Sequence, residues 1–437
     1  MRTPHRSATS IVLDIDEDHG CGDLPETACV EVEGNSARLV GALTLQKIGD
    51  VVVDAKTVLP WLLAAVGAPA GLTGLLVPIR ESGALLPQAS LVPRVRRIAV
   101  RKWVWVAGAL GQAAAAGAIA LAAAATDGAV AGGLIVAALA VFALARSLSS
   151  ISSKDVLGRT VPKGTRGRVN GAATVGSGAV AITVGLAIRA FGGSDADPLA
   201  LAALVGSAAV AWVLGALVFA RVVEPAGVDT ATTVEGGWLR HSLRLLGQDR
   251  PFRWFVATRT LLLVSALSPP FVITLATEAV GAGLAGLGPF VAASGLAALL
   301  GGRGWGRLAD RSSRLTMMAG AAGGATVVVV LLIALRVPGL AASSVPYVVA
   351  YLLLAFAHTG SRLGRKTYVV DLGEGNARTD YVAVSNTAMG LLLLATGAVT
   401  AGLAMLGVEV ALVFLAALGF AGVVSARRLP EVSDASS

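Results

Sequence analysis

The stretch GRLADRSSRL, residues 306–315, lies between two long apolar segments of the chain. Apolar segments of similar length recur on both sides of it, and about 20 residues is what a helix needs to cross the hydrocarbon of a bilayer. The 437 residues are 55% hydrophobic and only 14% charged, and the mean hydropathy is +0.75. A soluble domain of this size carries much more polar surface. The sequence therefore predicts an all-α membrane protein.

The apolar segments predict twelve transmembrane helices, in two groups of six. They cover roughly residues 52–71, 73–93, 103–125, 129–153, 168–190 and 198–221, and then 252–277, 280–302, 315–336, 344–368, 382–404 and 407–426. The first pair is the weakest, because residues 57–79 alone could form one span and reduce the total to eleven. We prefer twelve, because eleven breaks the match between the halves.

The second half of the chain repeats the first at a fixed distance. Lys154 and Lys366 are separated by 366 − 154 = 212 positions, and the same step takes Arg146 to His358. Each half also carries six apolar segments. Many secondary transporters are built from duplicated helical bundles, with the substrate site between the two halves. The repeat therefore predicts two pseudo-symmetric six-helix bundles with a shared central site.

Loop charges predict the orientation. Basic residues concentrate in the loops of one side, and such loops face the cytoplasm. The chain is therefore expected to be a multi-pass cell-membrane protein with both termini cytoplasmic. The net charge of +8 is explained by these loops rather than by nucleic-acid binding. The predicted divisions are a cytoplasmic tail with an amphipathic surface helix (1–50), an N-terminal bundle (51–221), a cytoplasmic linker (222–251), a C-terminal bundle (252–428) and a short cytoplasmic tail (429–437).

Residues 306–314 resemble the loop signature G-x-L-x-D-R-x-G-R of the major facilitator superfamily, with Ser313 at the second glycine. Six spans, a linker and six more spans also match that family, so the resemblance covers about residues 45–428. It implies transport by alternating access, with a cytoplasmic latch formed by Gly306, Asp310, Arg311 and Arg314. The alternative is a generic basic loop. The first-half counterpart, residues 94–102, is basic but lacks the acid and the glycine.

Two residues related by the repeat lie inside apolar segments. Arg146, in the fourth span, resembles an arginine of the family, and an intramembrane charge commonly faces the bundle interior. It could instead extend to the cytoplasmic interface. His358, in the tenth span, could line the cavity and relay protons, since histidine titrates near neutral pH. The alternative is a histidine bonded to a neighbour on its own helix.

Other charges complete the predicted substrate and proton pathway. Arg80 and Glu81 lie in the second span, where they could form a structural pair, or Glu81 could carry the proton. Lys56 and Arg259 could be interfacial anchors. If they face inward, the cavity is basic and favours an anion. The pathway is thus predicted from Arg80, Glu81, Arg146, Arg259 and His358.

The predicted function is proton-coupled secondary transport of a small molecule by a permease acting as a monomer. No G-x-x-x-x-G-K-[ST] loop or H-E-x-x-H motif occurs in the sequence, so we expect neither an enzyme nor a cofactor. The expected partners are the substrate, protons and the bilayer. The alternative is a transporter-like sensor or assembly factor, which has no need for Glu81, Arg146 and His358 together. Cys21 and Cys29 fit no metal spacing and are expected to be ordinary thiols.

Overall fold

A computed structural model describes most of the chain. The described residues are 26–87, 91, 94–95, 97–162, 166–191, 197–227, 244–372 and 377–432. Within these ranges the backbone is helical apart from short connections, which confirms the prediction of an all-α protein.

The first half contains seven principal helices. They are α1 (Val32–Val52), α2 (Val58–Ala65), α3 (Ala70–Leu85), α4 (Lys102–Ala125), α5 (Gly128–Thr160), α6 (Arg166–Phe191) and α7 (Pro198–Ala220). A single-turn helix, Glu26–Cys29, precedes them. The start of α7 is fixed locally, because Asp197 accepts a hydrogen bond from the backbone N–H of Leu199 and Pro198 occupies the first turn. A capping aspartate followed by proline is a favoured helix start.

The second half repeats this order. Its principal helices are α8 (Arg250–Leu261), α9 (Val264–Val280), α10 (Leu284–Arg311), α11 (Ser313–Ala334), α12 (Val345–Leu372), α13 (Ala377–Ala404) and α14 (Val408–Ala426). A single turn, Pro338–Ala341, joins α11 to α12. Asp249 caps α8 and Ser312 caps α11 through side-chain oxygens.

These helices make twelve spans in two six-helix bundles, as predicted. The first span is α1 with α2 and the seventh is α8 with α9, each interrupted by a short break; the other ten helices each form one span. Eight of the described helical stretches are long and apolar enough to cross a membrane by themselves, and residues 250–280 count as one of them.

The start of the first bundle differs from the expectation of a surface helix over residues 36–50. α1 runs from Val32 to Val52 and packs against α6 and α7. Its polar side chains made it look interfacial, but they find partners inside the protein. Asn35, for example, is fully buried and exchanges two hydrogen bonds with the backbone of Val223. Buried polar groups are tolerated when they are paired in this way.

Other details also differ from the sequence predictions. Pro69 caps the start of α3, and Pro269 and Pro270 lie inside α9. Cys29 is disulfide-bonded, so the expectation of an ordinary thiol was wrong for this residue. Residues 1–25 of the predicted N-terminal tail, Cys21 among them, and residues 228–243 of the predicted linker lie outside the described residues.

The two bundles meet along two helix pairs exchanged by the repeat. α6 packs along α10, and α3 packs along α13. The α6–α10 contact is close enough to need glycine: a Cβ atom at Gly185 would lie 2.4 Å from the Ala292 nitrogen, and one at Gly288 would lie 2.4 Å from the Gly185 oxygen. Small residues allow such close approach of membrane helices. The two halves are therefore in close contact where Gly185 of α6 meets Gly288 of α10.

Candidate functional site

A cavity of about 500 Å³ lies between the two bundles. The break between α1 and α2 contributes Asp54 and Lys56 to its wall, and α3 and α5 contribute further residues from the first half. α8, α9, α12 and α13 line it from the second half. The repeat predicted a site in this place, because the centre of a duplicated bundle is where the halves share a surface.

The cavity opens toward one end of the molecule. We call this the basic end; it carries the helix termini at Arg101, Arg159, Arg311 and Arg427. Three cations of the cavity wall are solvent-exposed there: Lys154, Arg362 and Lys366.

The opposite end, called here the far end, is closed by contacts between the halves. Trp61 Nε1 donates a hydrogen bond to the Ala282 carbonyl at 2.8 Å. The hydroxyls of Thr57 and Tyr351 are hydrogen-bonded to each other deeper in the protein. Together with the glycine contact of α6 and α10, these bonds separate the cavity from the far end.

Asp50 is the centre of a charge network in the first half. Its Oδ1 accepts hydrogen bonds from Arg80 Nη2 at 3.1 Å and from Arg146 Nη1. Arg80 also lies 3.6 Å from Asp54 Oδ2. The side chains of Asp50 and Arg80 are only 15% and 12% exposed. Ion pairing of this kind offsets the cost of burying charge.

Two sequence alternatives are decided by this network. Arg146 points into the bundle, where it also reaches Gln112 Oε1 at 3.5 Å, so it does not extend to the interface. The ion-pair partners of Arg80 are Asp50 and Asp54. Arg80 and Glu81 therefore do not form the structural pair that was considered from the sequence.

Glu81 lines the cavity with a carboxylate that makes no hydrogen bond or ion pair with any described residue. It nevertheless shares the cavity wall with several cations, among them Lys56, Arg80 and Arg362. Lys56 faces inward rather than acting as an anchor at the surface. Glu81 is therefore a carboxylate that faces the cavity without a fixed partner among the described residues.

The second-half wall is cationic. Arg259 donates to Ser385 Oγ at 3.1 Å and to Asn386 Oδ1 at 3.3 Å, so it too faces inward. Arg365 Nε donates to the Ser361 carbonyl at 3.1 Å. Over the whole wall, seven lysines and arginines face two carboxylates, Asp54 and Glu81. The field in the cavity therefore favours negative charge.

His358 lies in the same wall, on the face of α12 that also carries Arg362 and Arg365. Its Nδ1 is buried without a hydrogen-bond partner, so that nitrogen is not bonded to a helix neighbour. Among the described residues, no group of three or more His, Cys, Asp or Glu side chains is placed to hold a metal ion.

The loop at residues 306–314 belongs to the basic end. Arg314 donates to the Leu429 carbonyl at 2.8 Å and lies 3.4 Å from Glu431 Oε2. Ser312 Oγ also donates to Glu431 at 2.7 Å. Arg311 is exposed, and the side chain of Asp310 lies outside the described residues. Gly306 lies in α10 with open space around its Cα. The described part of the loop is thus tied to the end of its own half.

The first-half counterpart of this loop obtains its acids from elsewhere in the chain. Arg101 pairs with Asp155 at 3.0 Å. The backbone N–H of Lys102 donates to Glu224 Oε2 at 2.7 Å. Glu224 follows the sixth span much as Glu431 follows the twelfth. The missing acid of residues 94–102 is therefore replaced by carboxylates from α5 and the residues after α7.

Several site residues were not identified from the sequence. They are Asp50, Asp54 and Gln112 in the first half, and Arg362, Arg365 and Lys366 in the second. Asp50 was placed at the end of the predicted surface helix, and Arg365 and Lys366 were counted among the basic residues of the loops. The spacing of His358, Arg362 and Arg365 would have revealed the second set, because steps of four and three place side chains on one helix face.

Solved transporter structures share this architecture. A POT family transporter in complex with a thioalcohol-conjugated peptide superposes with a TM-score of 0.70 at 11% identity, over 89% of this chain and 94% of that chain. A variant of the nucleoside transporter NupG gives 0.68 at 12% identity, over 90% and 99%. The inward-open xylose transporter XylE from E. coli gives 0.67 at 13% identity, over 92% and 97%.

Sequence comparison alone gives no relative: no family profile and no curated protein matches the chain. The structural likeness defines the class of fold. The chain has the fold of the major facilitator transporters, as the loop signature and the repeat predicted.

Proposed function

We propose that this protein is a secondary active transporter that moves a small molecule across the membrane by alternating access. The main support is a polar cavity between two pseudo-symmetric bundles. This cavity is open at the basic end and closed at the far end. Rocking of the halves about such a cavity exposes it to each side in turn. The structural neighbours are peptide, nucleoside and xylose transporters, which supports this reading.

The charge set of the cavity argues against a protein that has the fold but no transport. Glu81 and His358 both line the cavity, and Arg146 supports it through Asp50. Buried and intramembrane charges are costly, and they are retained where they serve a pathway. Proton coupling through Glu81 is part of the proposal.

Transport is tested in proteoliposomes that contain the purified protein. Compounds that raise its melting temperature are identified first, since a ligand that binds the native state stabilises it. Each is then offered as a radiolabelled substrate to vesicles preloaded with the unlabelled compound. Transient accumulation inside the vesicles is the expected result. Ligands that bind tightly but never cross the membrane would indicate a sensor.

The basic end is proposed to be cytoplasmic, because basic loops are retained on that side. Single cysteines at Asp127 and Ser344, which are exposed at the far end, should react with an impermeant thiol reagent on intact cells. A single cysteine at the exposed Arg427 should react only after lysis. The background is a variant without Cys21 and Cys29. The reverse pattern would invert the orientation.

A latch at the basic end is also part of the proposal. It is formed by Gly306, Asp310, Arg311 and Arg314, and it favours closure of the basic end in the alternate state.

Asp310→Asn keeps the shape and removes the charge, so the cavity should spend more time open at the basic end. The rate at which a cysteine at Ser294, in the cavity wall, reacts from that side should rise. Arg428→Gln, at an exposed position of the same end, is the control. If the Ser294 cysteine reacts at the same rate in all variants, residues 306–314 are only a basic connection between two helices.

A further inference from the structure

The unbalanced positive charge of the cavity is concentrated in the second half. In the first half, Asp50 and Asp54 pair with Arg80 and Arg146. In the second half, the cavity wall carries Arg259, Arg362, Arg365 and Lys366 without any carboxylate of that half. None of these four cations makes an ion pair with a described residue.

Arg365 shows the imbalance most clearly. The residue is only 6% exposed, and its hydrogen bond goes to a neutral carbonyl, that of Ser361. Its Nη1 atom is buried without a partner. An uncompensated buried charge is strongly unfavourable unless a counter-charge is present in the working state of the protein.

Arg259 completes the cluster from another helix. It lines the same cavity as Arg365, so the two guanidinium groups place like charges in one wall. Its own hydrogen bonds go to the neutral side chains of Ser385 and Asn386, and its Nε has no partner. Two adjacent guanidinium groups held by neutral acceptors keep their full positive charge available.

The rest of the wall beside this cluster is apolar. Leu263, Pro269, Met389 and Leu393 line the cavity on the same half. The volume of about 500 Å³ lies within the range of small-molecule sites. A bare inorganic ion would leave most of this space and all of this apolar surface unused.

We propose that Arg259 and Arg365, with Arg362 and Lys366, bind the anionic headgroup of a small organic substrate whose apolar body lies against Leu263, Met389 and Leu393. The headgroup is a carboxylate, phosphate or sulfonate, because guanidinium groups bind these planar or tetrahedral oxyanions through paired hydrogen bonds. The inference rests on the proposed transport function and specifies its substrate class.

The test compares ligands of one skeleton and different charge. Thermal shifts of the purified protein are measured with phenyl phosphate, benzoate, benzamide and benzylamine, and with inorganic phosphate, at constant ionic strength. A wider set of organic anions, each with its neutral amide, follows the same design. We expect stabilisation by organic anions, most by the doubly charged ones, and little by inorganic phosphate or the amides. Equal or larger shifts with neutral compounds or amines, or no shift with any anion, would overturn the proposal.

Substitutions in the cavity wall test whether the anion binds at Arg259 and Arg365. Arg365→Gln and Arg259→Gln should each weaken binding of the best anion at least about tenfold, which corresponds to about 1.4 kcal/mol. Arg365→Lys should retain part of the affinity. Arg253→Gln removes the same charge from an exposed position of α8 and should bind like the parent protein. Unchanged affinity in both cavity variants, with normal elution in size-exclusion chromatography, would place the anion elsewhere.

The anion site and the transport function can be disproved separately. Transport of a neutral or cationic compound would exclude the anion site and leave the transporter intact. Anions that bind through Arg365 but show no exchange in proteoliposomes would establish the site and exclude transport.

Discussion

Asp50 is the carboxylate that neutralises two arginines of the first half. It accepts hydrogen bonds from both Arg80 and Arg146, so these cations are neutralised by α1 and not by the adjacent Glu81. Removing one partner of a buried ion pair typically costs about 3–5 kcal/mol, which identifies Asp50 as a structural centre. Glu81 is left facing the cavity without a fixed partner among the described residues, and its proposed role as the proton carrier can be tested by substitution.

Glu81→Gln keeps the volume of the side chain and removes its titration. We expect proton-driven accumulation of substrate to be lost, while exchange of substrate down its gradient continues, because binding and rocking do not require the proton. Both are measured in proteoliposomes with and without a pH gradient. The control is Glu409→Gln, at an exposed position of α14. If Glu81→Gln still concentrates substrate, His358 becomes the better candidate for the proton carrier.

The sequence identified site residues where a charge interrupts a clearly apolar segment. Arg146 and Glu81 stood out for this reason. His358 followed from its position in the repeat, and Arg259 from its place near the start of the seventh span. Asp50 was missed because its helix is polar enough to resemble a surface helix, and its burial depends on arginines from two other helices. Arg365 was missed because it lies near the end of its apolar segment and was counted among the loop charges. In the structure α12 continues to Leu372, and Arg365 lies in the cavity wall.

At the scale of helices, the α6–α10 contact determines which end of the molecule is closed. The backbones of Gly185 and Gly288 touch, which brings the two halves together near the far end. The number of spans followed from the apolar segments and the repeat. That α1 forms part of the first span could not be predicted from the sequence, because hydropathy cannot show that buried polar residues are paired.

Gly288→Val should force α6 and α10 apart, because the added Cβ would meet backbone atoms of α6. The population should shift from the state open at the basic end toward the state open at the far end. A cysteine at Ser294 should then react several-fold faster with an impermeant reagent applied from the far side.

Gly133→Val in α5 is the matched control, since a Cβ at Gly133 meets nothing within 4 Å. It makes the same change of residue in a membrane helix without touching the interface. If both variants leave the reaction rate of the Ser294 cysteine unchanged, the close contact of α6 and α10 does not control closure of the far end.

At the scale of the whole molecule, the two bundles enclose one cavity with one open end. Cross-half contacts at Trp61 and Ala282 close the far end, while exposed cations of the wall mark the basic end. Alternating access requires the second arrangement, in which the far end opens as the basic end closes. The duplicated sequence supplies the two bundles that the proposed mechanism requires to rock about the site between them.

The most direct test is a pair of distances measured by electron paramagnetic resonance between spin labels on opposite halves. One pair, at Asp127 and Ser344, reports on the far end; the other, at Arg97 and Arg427, reports on the basic end, and all four positions are exposed. We expect Gly288→Val, or a transported ligand, to lengthen the first distance and shorten the second. Distances that stay fixed, or that change in the same direction, would contradict alternating access.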